Sequence, residues 1–207
     1  MKKLAAVLLV ATCMMVGSSA FAQGIDFAFG ITTTLAPSAS ATAISNCVST
    51  GICNFQRLAG GAYPSISGDF LIHKNFGIAG QVAWRGSQGD YSGFGVPYRP
   101  IMWDFNGLYA PRVGRIGGEL QAGIGALSTR FYQNQIVSCS AFSGTCTNYV
   151  SSNHFALHVG GGVRFYILKS VFLRPEVHYY YAHNADVDFT SNNVFRVGAS
   201  IGLSFGR

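Results

Sequence analysis

The sequence predicts an all-β protein, an eight-stranded antiparallel up-and-down transmembrane β-barrel, and three observations carry that expectation. Eight segments alternate apolar and polar residues with a period of two, as strands with unlike faces do. The connections between them alternate short and long. The scarce charges inside these segments sit on the face opposite the aliphatic residues. No long segment carries the 3.6-residue period of a helix.

The chain begins MKKLAAVLLVATCMMVGSSAFAQ. Lys2 and Lys3 form a positive start, residues 4–16 an uncharged apolar run, and Ala20-Phe21-Ala22 a small-x-small cleavage site, the pattern of a secretory signal peptide. The run is too short for a membrane anchor of about 20 residues. Val10-Ala11-Thr12 is a poor lipobox ahead of Cys13. The expected organisation is a cleaved leader, 1–22, followed by one barrel domain, 23–207. The formal charge of +6 includes the two leader lysines, and the remaining basic residues are scattered singly. That excludes a nucleic-acid footprint. Only 11% of residues are charged and 26 are glycine, which suits an exterior of lipid better than one of water.

The strands follow in order. In IDFAFGITT, Ile25, Phe27, Phe29 and Ile31 oppose Asp26, Ala28, Gly30 and Thr32. AYPSISGDFLI sets Ile66, Phe70 and Ile72 against Ser65, Ser67 and Asp69. GIAGQVAWRG sets Ile78, Val82 and Trp84 against Gln81 and Arg85, and RPIMWDFNGLY sets Ile101, Trp103, Phe105 and Tyr109 against Asp104 and Asn106. ELQAGIGALS opposes Leu120, Ala122, Ile124 and Ala126 to Glu119 and Gln121. FALHVGGGVRFYI opposes Phe155, Leu157, Val159, Val163, Phe165 and Ile167 to His158 and Arg164. VFLRPEVHYYY opposes Val171, Leu173, Val177, Tyr179 and Tyr181 to Arg174, Glu176 and His178. In the closing VFRVGASIGLSFGR, Phe195, Val197, Ala199, Ile201, Leu203 and Phe205 oppose Arg196 and small residues. HKNFG, APRVGR and LKS are the short connections, whereas 35–60, 86–97, 134–153 and 183–193 are long.

Alternation alone fits a soluble sandwich with a dry aliphatic core equally well. Export and loop asymmetry favour the barrel, which turns aliphatics to lipid and charges inward. Five of the eight acids then line the lumen: Asp26, Asp69, Asp104, Glu119 and Glu176. Arg85, Arg164, Arg174 and Arg196 share that face and nearly balance them, as buried charges costing several kcal/mol each require. Eight strands leave an interior that side chains just fill, which disfavours general diffusion. Trp84, Phe155, Tyr179, Tyr181 and Phe195 form one expected aromatic girdle, and Phe27, Phe70, Tyr109, Phe165 and Phe205 the other. Pro64, Pro100 and Pro175 are expected at bulges or strand ends.

Outside the leader there are four cysteines, Cys47, Cys53, Cys139 and Cys146, in loops of an exported chain, which implies disulfides. Three connectivities are possible. Local closure, Cys47–Cys53 and Cys139–Cys146, is preferred because short loops close cheaply. Zinc is disfavoured, since the pairs are not C-x-x-C and lack a histidine at ligand spacing.

Over residues 24–205 the chain resembles the small outer-membrane β-barrel families, the OmpA-like transmembrane domain and the OmpX/Ail/Opa group. The resemblance lies in the signal peptide, the eight amphipathic strands and the final strand reaching Phe205. It implies the outer membrane as location and the barrel-assembly machinery as a biogenesis partner, although Gly206 and Arg207 follow the terminal aromatic. No peptidoglycan-binding domain of the full-length OmpA-like kind is expected after the barrel.

Catalysis is not expected. None of His73, His154, His158, His178 and His183 has Ser two positions later, as a lipid A deacylase-like site needs. His158, His178 and Glu176 can meet inside the barrel, where completing a hydrogen-bond network is the simpler role. No cofactor or metal is implied. Arg99 and Arg130 face outward near the long loops, where lipopolysaccharide phosphates suit guanidinium groups and simple snorkelling is the alternative. Two functions remain: a monomeric surface-interaction protein displaying disulfide-clamped loops to an unidentified extracellular ligand, or a narrow channel.

Overall fold

The computed structural model describes residues 24–37, 57–91, 96–139 and 146–206. The leader and both Cys47 and Cys53 lie outside these residues. Eight long strands form the wall: β1 (Gly24–Leu35), β2 (Tyr63–His73), β3 (Phe76–Trp84), β4 (Val96–Tyr109), β5 (Ile116–Tyr132), β6 (Tyr149–Tyr166), β7 (Val171–Ala182) and β8 (Asn193–Phe205). Each pairs antiparallel with its sequence neighbours, and β1 pairs with β8 from Ile25↔Phe205 to Leu35↔Phe195, closing the barrel. Closure removes the sheet edges that an open sheet would expose.

Alternation sets the two faces as the pleat requires. In β1, Asp26, Ala28, Thr32 and Thr34 are buried while Phe27, Phe29, Ile31 and Leu35 are exposed. In β8, Arg196, Ser200 and Ser204 are buried and Phe195, Ile201, Leu203 and Phe205 exposed. The exposed face is thus aliphatic and aromatic, and the enclosed face holds the charges. A soluble sandwich would do the reverse. Rim aromatics pair on that outer face: Phe76 with Tyr109 at 4.9 Å near the short turns, and Tyr179 with Phe195 at 5.0 Å near the long loops.

The prolines do not behave alike. Pro64 continues the β1–β2 register opposite Ile31. Pro100 stays in register opposite Thr129, and its carbonyl accepts from Arg85 N–H just past the end of β3. At Pro175 the β6–β7 ladder is interrupted between Gly162↔Glu176 and Phe165↔Leu173. A residue without an N–H leaves such a gap. A register shift lies away from these prolines, between Leu71 and His73.

β5 and β6 are the longest strands and pair along their full length, from Tyr132↔Tyr149 to Ile116↔Phe165. They outrun β7, whose pairing with β6 begins only at Ala156↔Ala182. The hairpin therefore projects past the rim. Beyond it a two-residue ribbon brings Cys139 opposite Cys146, and these form a disulfide.

Candidate functional site

The lumen is stacked in layers. Nearest the short turns it is apolar, with Leu71, Ala79, Leu108 and Ala110 in one cluster and Ala28, Tyr166 and Phe172 in another. Above them lies an ion layer centred on Arg164, which is 0% exposed. Its guanidinium donates to Glu119 Oε2 at 2.5 Å and pairs closely with Asp26 and Asp69. Arg174 shares the same acids: its Nη1 lies 2.8 Å from Glu119 Oε1, and its Nε lies 2.8 Å from Glu176 Oε2. Ser67 and Ser200 accept from Arg174 at 2.7 and 3.0 Å, giving the charge further hydrogen bonds. Two buried arginines on four carboxylates is a geometry in which each ion's desolvation is offset only while every partner remains.

Next comes a layer of amides, histidines and a phenol. Asp104 accepts from Tyr180 Oη at 2.6 Å and from Asn106 Nδ2 at 2.5 Å. Asn106 Oδ1 lies 2.6 Å from His158 Nδ1, and His158 Nε2 lies 3.0 Å from His178 Nδ1. His178 and Glu176 stand 3.7 Å apart. Arg196 Nη2 donates to Gln81 Oε1 at 2.5 Å, and its guanidinium lies 5.4 Å from the Tyr180 ring centroid. Around the long-loop mouth, Leu58, Tyr63, Tyr98, Met102, Leu127 and Phe189 pack into an aromatic cap. The segment before β2 is tied into it, with Ala59 N–H donating to Tyr98 Oη at 2.7 Å and Tyr63 Oη to Ala59 O at 2.7 Å.

Eight of the nine charges expected in the lumen lie there. Arg85 does not. It sits one residue beyond β3, where its Nε donates to Gly60 O at 2.9 Å and its Nη1 to Ser87 O at 3.0 Å. Its parity points inward, but its height puts it among loop carbonyls. Among the described residues, five acids therefore face three arginines in the bore rather than the expected four, so the lumen is less nearly balanced than the sequence suggests. Gln81, Asn106, Gln121 and Tyr180 complete the network. The alternation marks them as inward, yet nothing in it says which of them meet.

Arg99 and Arg130 face each other directly across β4 and β5 on the outer face. Arg130 is exposed and lies 4.9 Å from the Tyr149 ring centroid, while Arg99 is half-buried and its Nε has no hydrogen-bond partner among the described residues. Ten residues along a tilted strand place Arg99 roughly 25 Å above Tyr109, the height of a barrel's apolar band. The pair thus stands at the upper edge of that band. Like charges set opposite one another destabilise a ladder unless an anion lies between them.

An aliphatic exterior, aromatic rims and a filled, charged interior within eight closed strands define a small outer-membrane-type β-barrel. No protein-family model matches the chain, and no curated protein matches its sequence. Solved structures do resemble it. Ail, the attachment invasion locus protein of Yersinia pestis, in complex with the heparin analogue sucrose octasulfate, is 11% identical with a TM-score of 0.55, covering 88% of this chain and 98% of that one. Neisserial surface protein A is 12% identical with a TM-score of 0.56, covering 87% and 95%. The outer membrane protein OprG of Pseudomonas aeruginosa is 10% identical with a TM-score of 0.57, covering 90% and 98%. At such identities the likeness is one of fold.

Proposed function

We propose that this chain is a non-enzymatic integral outer-membrane protein, exported by a cleaved leader, whose barrel is a sealed anchor and whose work is done at its extracellular end. The filled bore is the observation that carries this reading. Arg164, Arg174, Arg196, His158 and Tyr180 are each 1% exposed or less, and a water-wide path would wet them. Reconstituted in a planar bilayer, the protein is expected to show no single-channel steps. Reproducible steps would favour the narrow channel instead.

The projecting β5–β6 hairpin supports a surface-interaction role. Among the described residues, Tyr149–His154 pair with β5 on one side and with no strand on the other. Such an edge can accept an extended segment of another protein through main-chain hydrogen bonds. The Cys139–Cys146 bond clamps the hairpin's tip. Ail, of like fold, is named for attachment.

Lipopolysaccharide is the proposed outer-leaflet partner, its phosphates held between Arg99 and Arg130. Replacing both with Gln is expected to weaken lipopolysaccharide binding by about tenfold or more, on the scale of a charge-assisted hydrogen bond lost from each side. Unchanged binding and unchanged stability in lipid would leave only snorkelling arginines.

A further inference from the structure

The last long connection does not extend into solvent. Ala182 N–H donates to Asn192 O at 2.7 Å and His183 N–H to Phe155 O at 2.8 Å, which pins both ends of the arc at the rim. Between these pins, Asn184 adopts a left-handed φ of 59° and the chain makes a 3-10 turn, Ala185–Val187. That course carries Phe189 inward until it is 2% exposed, with its ring 5.7 Å from Tyr98 and 6.2 Å from Tyr91. Asp188 fastens the arc to the wall at two points. Its carboxylate lies 2.7 Å from His154 Nε2, and its carbonyl accepts from Tyr91 Oη. Burial, with Asp188 and Tyr98 beside it, holds the Tyr91 phenol above its ordinary pKa, so it remains a donor.

Below Phe189 lies polar surface with hydrogen-bonding capacity to spare. Arg196 is 0% exposed, yet among the described residues its Nε and Nη1 have no hydrogen-bond partner, and neither does His178 Nε2. An apolar cap over a charged layer with unpartnered polar atoms is the arrangement of a covered polar layer, since buried polar groups otherwise find partners.

We propose that residues 184–191 form a lid, latched by Asp188 to His154 and Tyr91, whose release opens the outer half of the lumen to water and small polar solutes. The inference rests on the reading of the barrel as a surface anchor and leaves its non-conducting character intact, because the Arg164 layer and the apolar base remain below. The lid behaves as a local unit: it opens without unfolding the wall, since its pins, Ala182 to Asn192 and His183 to Phe155, hold the arc where it leaves and rejoins the strands.

The test uses Met102→Cys, a buried reporter beneath the lid, in the full chain folded in lipid vesicles. A membrane-impermeant maleimide is added outside, and the same chain without the reporter sets the background. With the native arc, labelling is expected to be slow. Asp188→Ala is expected to accelerate it about tenfold, the consequence of losing one charge-assisted hydrogen bond from a local opening. Asp188→Asn, which keeps an acceptor for His154 but loses the charge, should fall between the native rate and that of Asp188→Ala. Tyr91→Phe, which removes one hydroxyl, gives a smaller acceleration and covers the case in which Asp188→Ala does not fold. Equal rates in all variants, or fast labelling with the native arc, would overturn the lid. Neither result bears on bilayer conductance, so the two readings fail separately.

Discussion

Replacing Arg164 with Met is expected to cost the barrel about 3–5 kcal/mol, the scale for removing one partner from a buried ionic cluster. The reason lies in what remains. Asp26, Asp69 and Glu119 converge on that guanidinium. Without it, Arg174 stays near, 2.8 Å from Glu119 but 3.6 Å from Asp69. Carboxylates held away from water without a counter-charge are unstable wherever they sit. Urea unfolding in lipid vesicles, followed by heat-modifiable gel migration, should show a clear fall in midpoint. Adding Asp26→Asn and Asp69→Asn to the variant should restore much of the loss, because these two groups are then neutral while Glu119 keeps Arg174 at 2.8 Å. A variant that unfolds at the native midpoint would show that the ion layer contributes nothing net.

The second large effect is steric. A Cβ at Gly123 would lie 2.0 Å from Phe105 O and 2.7 Å from Asn106 Oδ1, and one at Gly125 would lie 2.1 Å from Trp103 O. The obstacles at these two inward positions include backbone on β4, which cannot rotate aside. Gly123→Ala is therefore expected to push β4 from β5 and cost about 1–3 kcal/mol or more, as overpacking does. The yield of heat-modifiable barrel after refolding into vesicles measures it. Gly107→Ala is the control: its added Cβ would meet nothing closer than 3.8 Å, and the position faces outward. Equal yields for the two variants would show that the wall yields more readily than the close approach implies.

Much of this architecture is legible in the sequence because a strand's period is two and each residue's face follows from parity. Asp26, Glu119 and Arg196 were assignable inward, and Phe29, Leu120 and Ile201 outward, from their neighbours alone. Arg85 shows the limit. Parity gives a side of the wall and not a height, and the β3 ladder ends one residue earlier. Phe172, Met102 and Phe189 show another. An alternation that assigns apolar residues to lipid has no place for apolar residues inside, yet both ends of the lumen are closed by them. The His154–Asp188 contact joins a strand to a loop 34 positions away, and no local pattern announces it.

By itself, the sequence determined the number of strands, their antiparallel order and the inversion that puts charge inside and aliphatics outside. Those properties follow from local alternation, short turns and the scarcity of charge. The tertiary structure alone decided which groups meet. Arg164 reaches Asp26 across 138 positions, Arg99 stands opposite Arg130, and Phe189 caps the mouth. Such meetings depend on strand tilt and stagger around a closed barrel, which set each side chain's height along the axis. A period of two carries no record of that height.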